Sequence, residues 1–407
     1  MQYSSFISAS GLQIVHLPSD SPVSYCGFVV HAGTRDEQPG QYGLAHFVEH
    51  MLFKGTEKRK VHHILNRMEV VGGELNAYTT KEETFLYTVC LQDDIERAIE
   101  LLSDLIFHSR FPEAEIEKEK DVVIDEIHSC EDTPSDLIFD EFENKIFAGN
   151  DLGHAILGDV ESIKRFTTVS CRDFVSAYYR LENMVFFSCG KTPFSKICKY
   201  VEKYLPTSFS TGTNHLFHHR PEVLPAETII QNRNLHQTHV VIGGNAYDIF
   251  DGKRMGLLLL SNLLGGTGMN SRLNVSLREK NGLVYTVEAE VVSYTDTGVF
   301  TVYFGCDPES TDQCLHLVHK ELKRFRDRKL SSSQLAAAVK QWKGQLGIAG
   351  ENKENTALRL GKNFLYFNRY DTLPQTYQKI EALTAEGLLE TANEIFEEKR
   401  LFSLIYQ

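Results

Sequence analysis

Val29-Val-His-Ala-Gly33 stands ahead of Gly55-Thr56, and Val240-Val-Ile-Gly-Gly244 stands ahead of Gly266-Thr267, both pairs separated by the same 211 residues. A constant offset over a strand, a helix and the turn that follows points to a duplicated domain. Each copy continues in residues suited to strands, Thr84-Phe-Leu-Tyr-Thr-Val89 in the first and Gly298-Val-Phe-Thr-Val-Tyr303 in the second, and each is then followed by a helical pattern. In the first copy that helix runs from Asp94 to Phe107, with an acid at its start and apolar residues at helical spacing. The expected class is α+β: two homologous domains, each a mostly antiparallel sheet packed with helices. A turn-rich stretch from Leu205 to Asn214, followed by Pro221 and Pro225, places a linker at 206–226 between domains at 1–205 and 227–407.

Composition narrows the function classes. The chain of 407 residues is 42% hydrophobic and carries a formal charge of −13, so clustered Lys and Arg for a phosphate backbone are not to be expected and nucleic acid is excluded as the main partner. Its longest apolar runs, such as Met255-Gly-Leu-Leu-Leu-Leu, fall short of a membrane span. The N-terminus lacks the features of a secretory signal, and the expected location is cytoplasmic. Eight cysteines are scattered singly without a CxxC pair, so reduced thiols are expected.

The chemistry concentrates in Gly43-Leu-Ala-His-Phe-Val-Glu-His-Met-Leu-Phe53. No Gly or Pro interrupts it after Gly43, and its apolar residues favour a mostly buried helix. On such a helix His46 and His50, at i and i+4, share a face from which two imidazoles reach one tetrahedral Zn²⁺. Glu49 projects beside them, placed to take a proton from water acidified by the metal. The order H-x-x-E-H is the reverse of the H-E-x-x-H arrangement. Polar residues on such an apolar segment are costly to bury unless something satisfies them. His62 and His63 adjoin each other, cannot share a helical face, and are expected at the surface.

A third ligand has to come from elsewhere. The acidic segment from Glu113 to Ile127 winds Ile116, Val122, Val123 and Ile127 onto one stripe, and Glu119 and Glu126 fall within it. Two acids on an apolar face need partners. Ligation by one and orientation of a ligating His by the other would satisfy both; so would neighbouring lysines, and the pattern alone leaves both readings open.

Four stretches together resemble the pitrilysin-like peptidases of family M16, in particular their short two-domain type (M16B), represented by mitochondrial processing peptidase subunits. They are Gly43 to Thr56, Gly72-Gly-Glu-Leu-Asn-Ala-Tyr-Thr79, Val122-Val-Ile-Asp-Glu-Ile127 and Arg278-Glu-Lys-Asn-Gly-Leu-Val-Tyr285. The resemblance implies a zinc-dependent metalloendopeptidase with one zinc per chain, held by His46, His50 and Glu126. Glu49 would be the general base and Glu119 an acid behind the ligands. Asn76 and Ala77 would lie on the strand edge to which peptide substrates add as an extra strand. Arg278 and Tyr285 would reach the substrate carbonyl opposite the metal. Short members pair into a clamshell, so a homodimer enclosing a chamber is implied, a heterodimer with a related chain being the other arrangement. In the second copy His46, Glu49 and His50 become Leu257, Leu260 and Ser261, which cannot bind metal, and Gly265-Gly-Thr-Gly268 lacks the pattern of a phosphate loop and reads as a turn. The rival reading is a non-catalytic peptide-binding or assembly subunit of the same fold; its mark would be a broken H-x-x-E-H, and all three residues are present here.

Overall fold

The computed structural model describes residues 2–206, 218–223 and 225–407, so that most of the expected linker (207–217 and 224) lies outside the described residues. The chain forms two compact units, and both draw on both halves of the sequence. The first comprises residues 1–129, 155–218 and 349–372, the second 130–154, 219–348 and 373–407.

The first unit is built on six strands, β1 (Ser4–Ile7), β2 (Gln13–Pro18), β3 (Val23–Val30), β4 (Glu74–Thr79), β5 (Thr84–Leu91) and β6 (Met184–Gly190), in the order β1-β2-β6-β3-β5-β4. Only the β2–β6 pair is parallel. The second unit holds β7 (Thr228–Gln231), β8 (Thr238–Ala246), β9 (Val284–Ser293), β10 (Gly298–Cys306) and β11 (Phe402–Tyr406), in the order β7-β11-β8-β10-β9, with only β7–β11 parallel. The two orders coincide strand for strand once β1 is set aside, so the α+β class and the duplication expected from the sequence are both present in the fold.

Five helices of the N-terminal half matter below: α1 (Leu44–Leu52), α2 (Val61–Glu69), α3 (Ile95–His108), α4 (Glu113–Glu131) and α5 (Pro134–Ile146). Strand alternation assigns the cores. In β3 the side chains of Cys26, Phe28 and Val30 join one cluster with Phe47 and Met51 of α1 and Ile99, Leu102 and Ile106 of α3, while Val29, pointing the other way, joins Phe85, Val185 and Phe187. This second face is covered by Ala357, Leu360 and Phe364 of the helix Lys353–Phe367. Close packing there requires Gly361, since a Cβ would come within 2.6 Å of the Phe187 ring. Polar contacts fasten the same helix: Lys362 Nζ lies 2.6 Å from Glu83 Oε1, and the hydroxyls of Tyr366 and Tyr87 donate to Glu83 and Glu354 at 2.6 and 2.7 Å.

The second sheet repeats the plan. Val240, Ile242, Phe300 and Val302 pack on the helix Arg254–Gly265, and Val241, Val299, Phe402 and Leu404 pack on Ile138, Phe142 and Ile146 of α5. Each sheet thus takes the cover of one face from a helix encoded beside the other sheet. Because both faces are buried, β5 and β10 are apolar along nearly their whole length rather than alternating with solvent-facing residues. All eight cysteines are free, and among the described residues no helix is long and apolar enough to cross a membrane.

His16 on β2 is a buried polar exception, its Nδ1 2.9 Å from the Ser188 hydroxyl and its ring stacked on Phe194. Burial lowers its pKa to about 4. It is therefore neutral in the fold above about pH 4 and takes up a proton on unfolding between about pH 4 and the ordinary imidazole value. Stability falls as pH drops from about 6.5 toward 4 and is unaffected above that window. His16→Asn, which keeps a partner for Ser188, is expected to flatten this acid limb by roughly 3 kcal/mol at pH 4, read by urea unfolding at a series of pH values; an unchanged limb would rule the residue out as its source.

Candidate metal centre

α1 carries His46, Glu49 and His50 as the spacing predicts, with His46 and Glu49 buried. The helix starts at Gly43, whose φ of +92° and close approach to the Leu157 carbonyl, 2.5 Å from where a Cβ would stand, admit only glycine. The His46 and His50 rings lie 4.5 Å apart. Glu126 of α4 meets them, its Oε2 3.8 Å from His46 Nε2 and 3.6 Å from His50 Nε2. One ligand atom from each of the three lies within 4.8 Å of the other two. Tetrahedral Zn²⁺ with Zn–N near 2.0–2.1 Å needs ligand atoms about 3.4 Å apart, so a small contraction of this cluster suits the ion.

The electrostatics agree with ligation. Burial lowers the His46 pKa to about 3, leaving a neutral ring with a lone pair to give. Its Nδ1 is buried without a hydrogen-bond partner. For His50 burial also disfavours the charge, but the hydrogen bond it donates to Glu119 and the charges of Glu49, Glu119 and Glu126 outweigh it and hold the pKa above the ordinary value. Three carboxylates gathered around one imidazolium are what a bound dication would relieve. Glu119 stands behind the ligands, its Oε1 2.9 Å from His50 Nδ1 and its Oε2 2.6 Å from Lys54 Nζ. Burial raises its pKa, and the His50 and Lys54 contacts more than reverse that. An acid on Nδ1 fixes the tautomer that presents Nε2 to a metal.

Glu49 is held from the sheet. On β4 the odd-numbered residues Leu75 and Ala77 face the core shared with α1, and Thr79, continuing that face, donates to Glu49 Oε2 at 2.6 Å. Burial raises the Glu49 pKa against the pull of Thr79 and His50, a direction suited to a general base. β4 is the last strand of its sheet, bonded to β5 on one side only, so Asn76 and Ala77 lie on an edge strand with their partners Tyr87 and Leu86.

Two sequence expectations shift. The buried face of α4 is Ile116, Glu119, Val123 and Ile127, whereas Val122 is half exposed and the Glu126 side chain is 44% exposed. A step of one residue turns a helix by 100°, which carries Val122 and Glu126 off the packed stripe and onto its rim. From that rim Glu126 reaches the imidazoles. Thr79, Lys54 and Glu37 carry contacts that the sequence did not assign; the one signal was Lys54 at i+4 from His50.

In the second unit Arg278 sits on a π-helical turn, Asn274–Glu279, and the chain reverses at Gly282, with φ +61°, into β9. The Arg278 guanidinium lies 5.4 Å from the ring centroid of Tyr285, which is 80% exposed. The pair is brought together, and both side chains stay accessible. Leu257, Leu260 and Ser261 are buried on the helix that corresponds to α1, with the Ser261 hydroxyl donating to the Ala289 carbonyl at 2.9 Å.

Glu126→Gln is expected to weaken zinc binding by more than about tenfold and Glu119→Gln by ~10- to 100-fold, in competition titrations against a chromophoric chelator. Asp125→Asn, exposed one residue before the ligand, should bind as the wild type does; equal affinities in all four proteins would reject the ligand set.

The profile of the insulinase family, peptidase family M16, matches residues 14–160, and that of the peptidase M16 inactive domain matches residues 165–342. A Bacillus subtilis protein named as the uncharacterized zinc protease YmxG is 31% identical over 379 residues, covering 93% of this chain and 92% of its own length. An uncharacterized zinc protease of Rickettsia bellii is 31% identical over 372 residues, 90% of this chain and 88% of its own. In fold, the chain is similar to a protease from Helicobacter pylori (TM-score 0.93, 21% identity, covering 100% of this chain and 99% of that one). It is likewise similar to a Pseudomonas fluorescens structure described as a peptidase M16 inactive domain (TM-score 0.90, 19% identity, covering 100% and 98%). With the profiles, the near full-length relatives and the His-His-Glu cluster in agreement, this chain belongs to peptidase family M16.

Proposed function

We propose that the protein is a zinc-dependent metalloendopeptidase acting on peptides or unfolded segments, with Glu49 as its general base. The observation that carries this is the convergence of His46, His50 and Glu126 within 4.8 Å, next to a buried glutamate on the same helix. A bound zinc ion would polarise the scissile carbonyl and acidify a water. His46, His50 and Glu126 would hold the ion, and Glu119 would keep the His50 tautomer. Glu49 would take the proton of the attacking water. With Thr79 occupying Oε2, that proton would go to Oε1 and then to the leaving amine. The extended substrate would add to the open edge of β4 along residues 72–79, where main-chain hydrogen bonds demand little of its sequence.

Glu49→Gln leaves every proposed ligand in place. It should retain one zinc per chain by mass spectrometry and lose roughly 10²- to 10⁴-fold in turnover of a peptide pool. Wild-type turnover in this variant would sink the mechanism.

Two copies of the chain would enclose the substrate, and Arg278 and Tyr285 of one copy would supply hydrogen-bond donors to the substrate carbonyl oxygen as it gains charge in the other copy's site. Mixing inactive Glu49→Gln with inactive Arg278→Ala/Tyr285→Phe under conditions of subunit exchange tests this. Half of the dimers would then be mixed, each with one intact site, so roughly a quarter of wild-type activity should return. No recovery despite demonstrated exchange would remove the shared-site proposal.

A further inference from the structure

The N-terminus of α1 has no cap of its own, since Gly43 at the cap position carries no side chain. The unpaired amides are taken instead by Glu37, six residues upstream. Its Oε2 accepts from Gly43 N–H at 2.8 Å and its Oε1 from Ala45 N–H at 2.7 Å. The carboxyl group is buried, and burial pushes its pKa well above the ordinary value against the pull of the Ala45 and Gly43 N–H donors at the helix start. Both of its oxygens grip the turn that ends at His46.

Glu37 is itself held. It follows the tight turn Thr34–Asp36, where Thr34 N–H and Arg35 N–H donate to the Thr80 and Lys81 carbonyls at 3.2 and 2.8 Å. Arg35, buried, is 2.7 Å from Glu82. The loop at 80–83 begins directly after Thr79, which bonds Glu49. A single frame therefore connects the clamp on the first turn of α1 with the hydroxyl on its glutamate.

The duplicated unit supplies an internal control. At the 211-residue offset Glu37 corresponds to Asp248 and α1 to the helix Arg254–Gly265. The cap residue of that helix, Lys253, gives no side-chain cap; Asp248 accepts from Phe250 N–H within its own turn at 2.8 Å, and Asp251 accepts from Lys253 N–H with one oxygen at 2.7 Å, so neither carboxylate bridges two amides of the first turn as Glu37 does. The second unit has the same strand order and the same helix on its sheet without the clamp. It also lacks the metal ligands. The two-amide bridge is thus found on the helix that carries the histidines, while its counterpart has a carboxylate on the cap amide alone.

We propose that Glu37 is a positioning residue for the metal centre, fixing the axial and rotational placement of α1 so that the two imidazoles meet Glu126. The proposal rests on the metal reading of His46, His50 and Glu126 and not on peptide hydrolysis. The test compares full-length wild type, Glu37→Gln, Glu37→Ala and Asp248→Ala, titrating zinc against a chromophoric chelator and following thermal unfolding of the zinc-free proteins. Glu37→Ala should bind zinc ~10- to 100-fold more weakly. Glu37→Gln, isosteric and left with one acceptor, should lie between it and wild type while unfolding close to the wild-type temperature, and Asp248→Ala should bind zinc normally. Should Glu37→Ala fail to fold, Glu37→Gln alone decides. Zinc affinities within about twofold of wild type in the folded Glu37 variants, with or without a fall in unfolding temperature, would reduce Glu37 to a structural cap and overturn the proposal, as would an equal loss in Asp248→Ala. A wild-type protein that binds no zinc overturns the proposal together with the metal reading. One that binds zinc but cleaves no peptide overturns only the proposed function.

Discussion

Burial of both faces of each sheet is the constraint from which the rest of the molecule follows. Strands such as β5 and β10 are apolar on both sides, so each sheet needs helices above and below it. In the first unit one of those covers is α1 with α3, packed through Phe47, Met51, Ile99 and Leu102. A helix that must be buried for packing can carry polar residues only where something meets their hydrogen-bonding needs. The ligand face of α1 answers that demand with Glu126 and Glu119 from α4 and Thr79 from β4. The His-His-Glu cluster stands at a place the core would otherwise fill with aliphatic side chains, as it does at Leu257 and Leu260 in the second unit.

The charges at the site are set against one another. Burial pushes the His46 proton off and favours a proton on Glu49, while Glu119, with Lys54 on its far oxygen, draws a proton onto His50. Two histidines four residues apart on one helix are thereby placed in opposite electrostatic circumstances. Only the one backed by an acid has a fixed tautomer. The other offers its lone pair because its surroundings exclude a charge.

Much of this was legible in the chain. The offset between the halves implied two like units, and the i, i+4 histidines implied a shared face, because helical and strand periodicity are local properties. Glu126 was only half legible: the stripe calculation placed it on the packed face together with Val122, whereas both lie at its rim, and one residue of helical phase separates those answers. Glu37 and Thr79 were silent because a carboxylate that caps a helix six residues away and a hydroxyl that crosses from strand to helix leave no periodic trace. The covers at α5 and Lys353–Phe367 were illegible for another reason: amphipathic spacing says which side of a helix is apolar and nothing about which of two similar sheets will receive it.

That exchange of covers bears on how the chain can be divided. A fragment ending near residue 205 would contain β1 to β6 and the helices on one side of that sheet, but not Ala357, Leu360 and Phe364, which shield the other side. A fragment beginning near residue 227 would lack Ile138, Phe142 and Ile146. Each half made alone would present an open apolar slab to water, the kind of surface that drives aggregation. During synthesis the first sheet must likewise wait for more than half of the remaining chain before its second face can close. The two copies of the ancestral unit have ceased to be separable modules, and a working reconstruction of either would have to carry the borrowed helix with it.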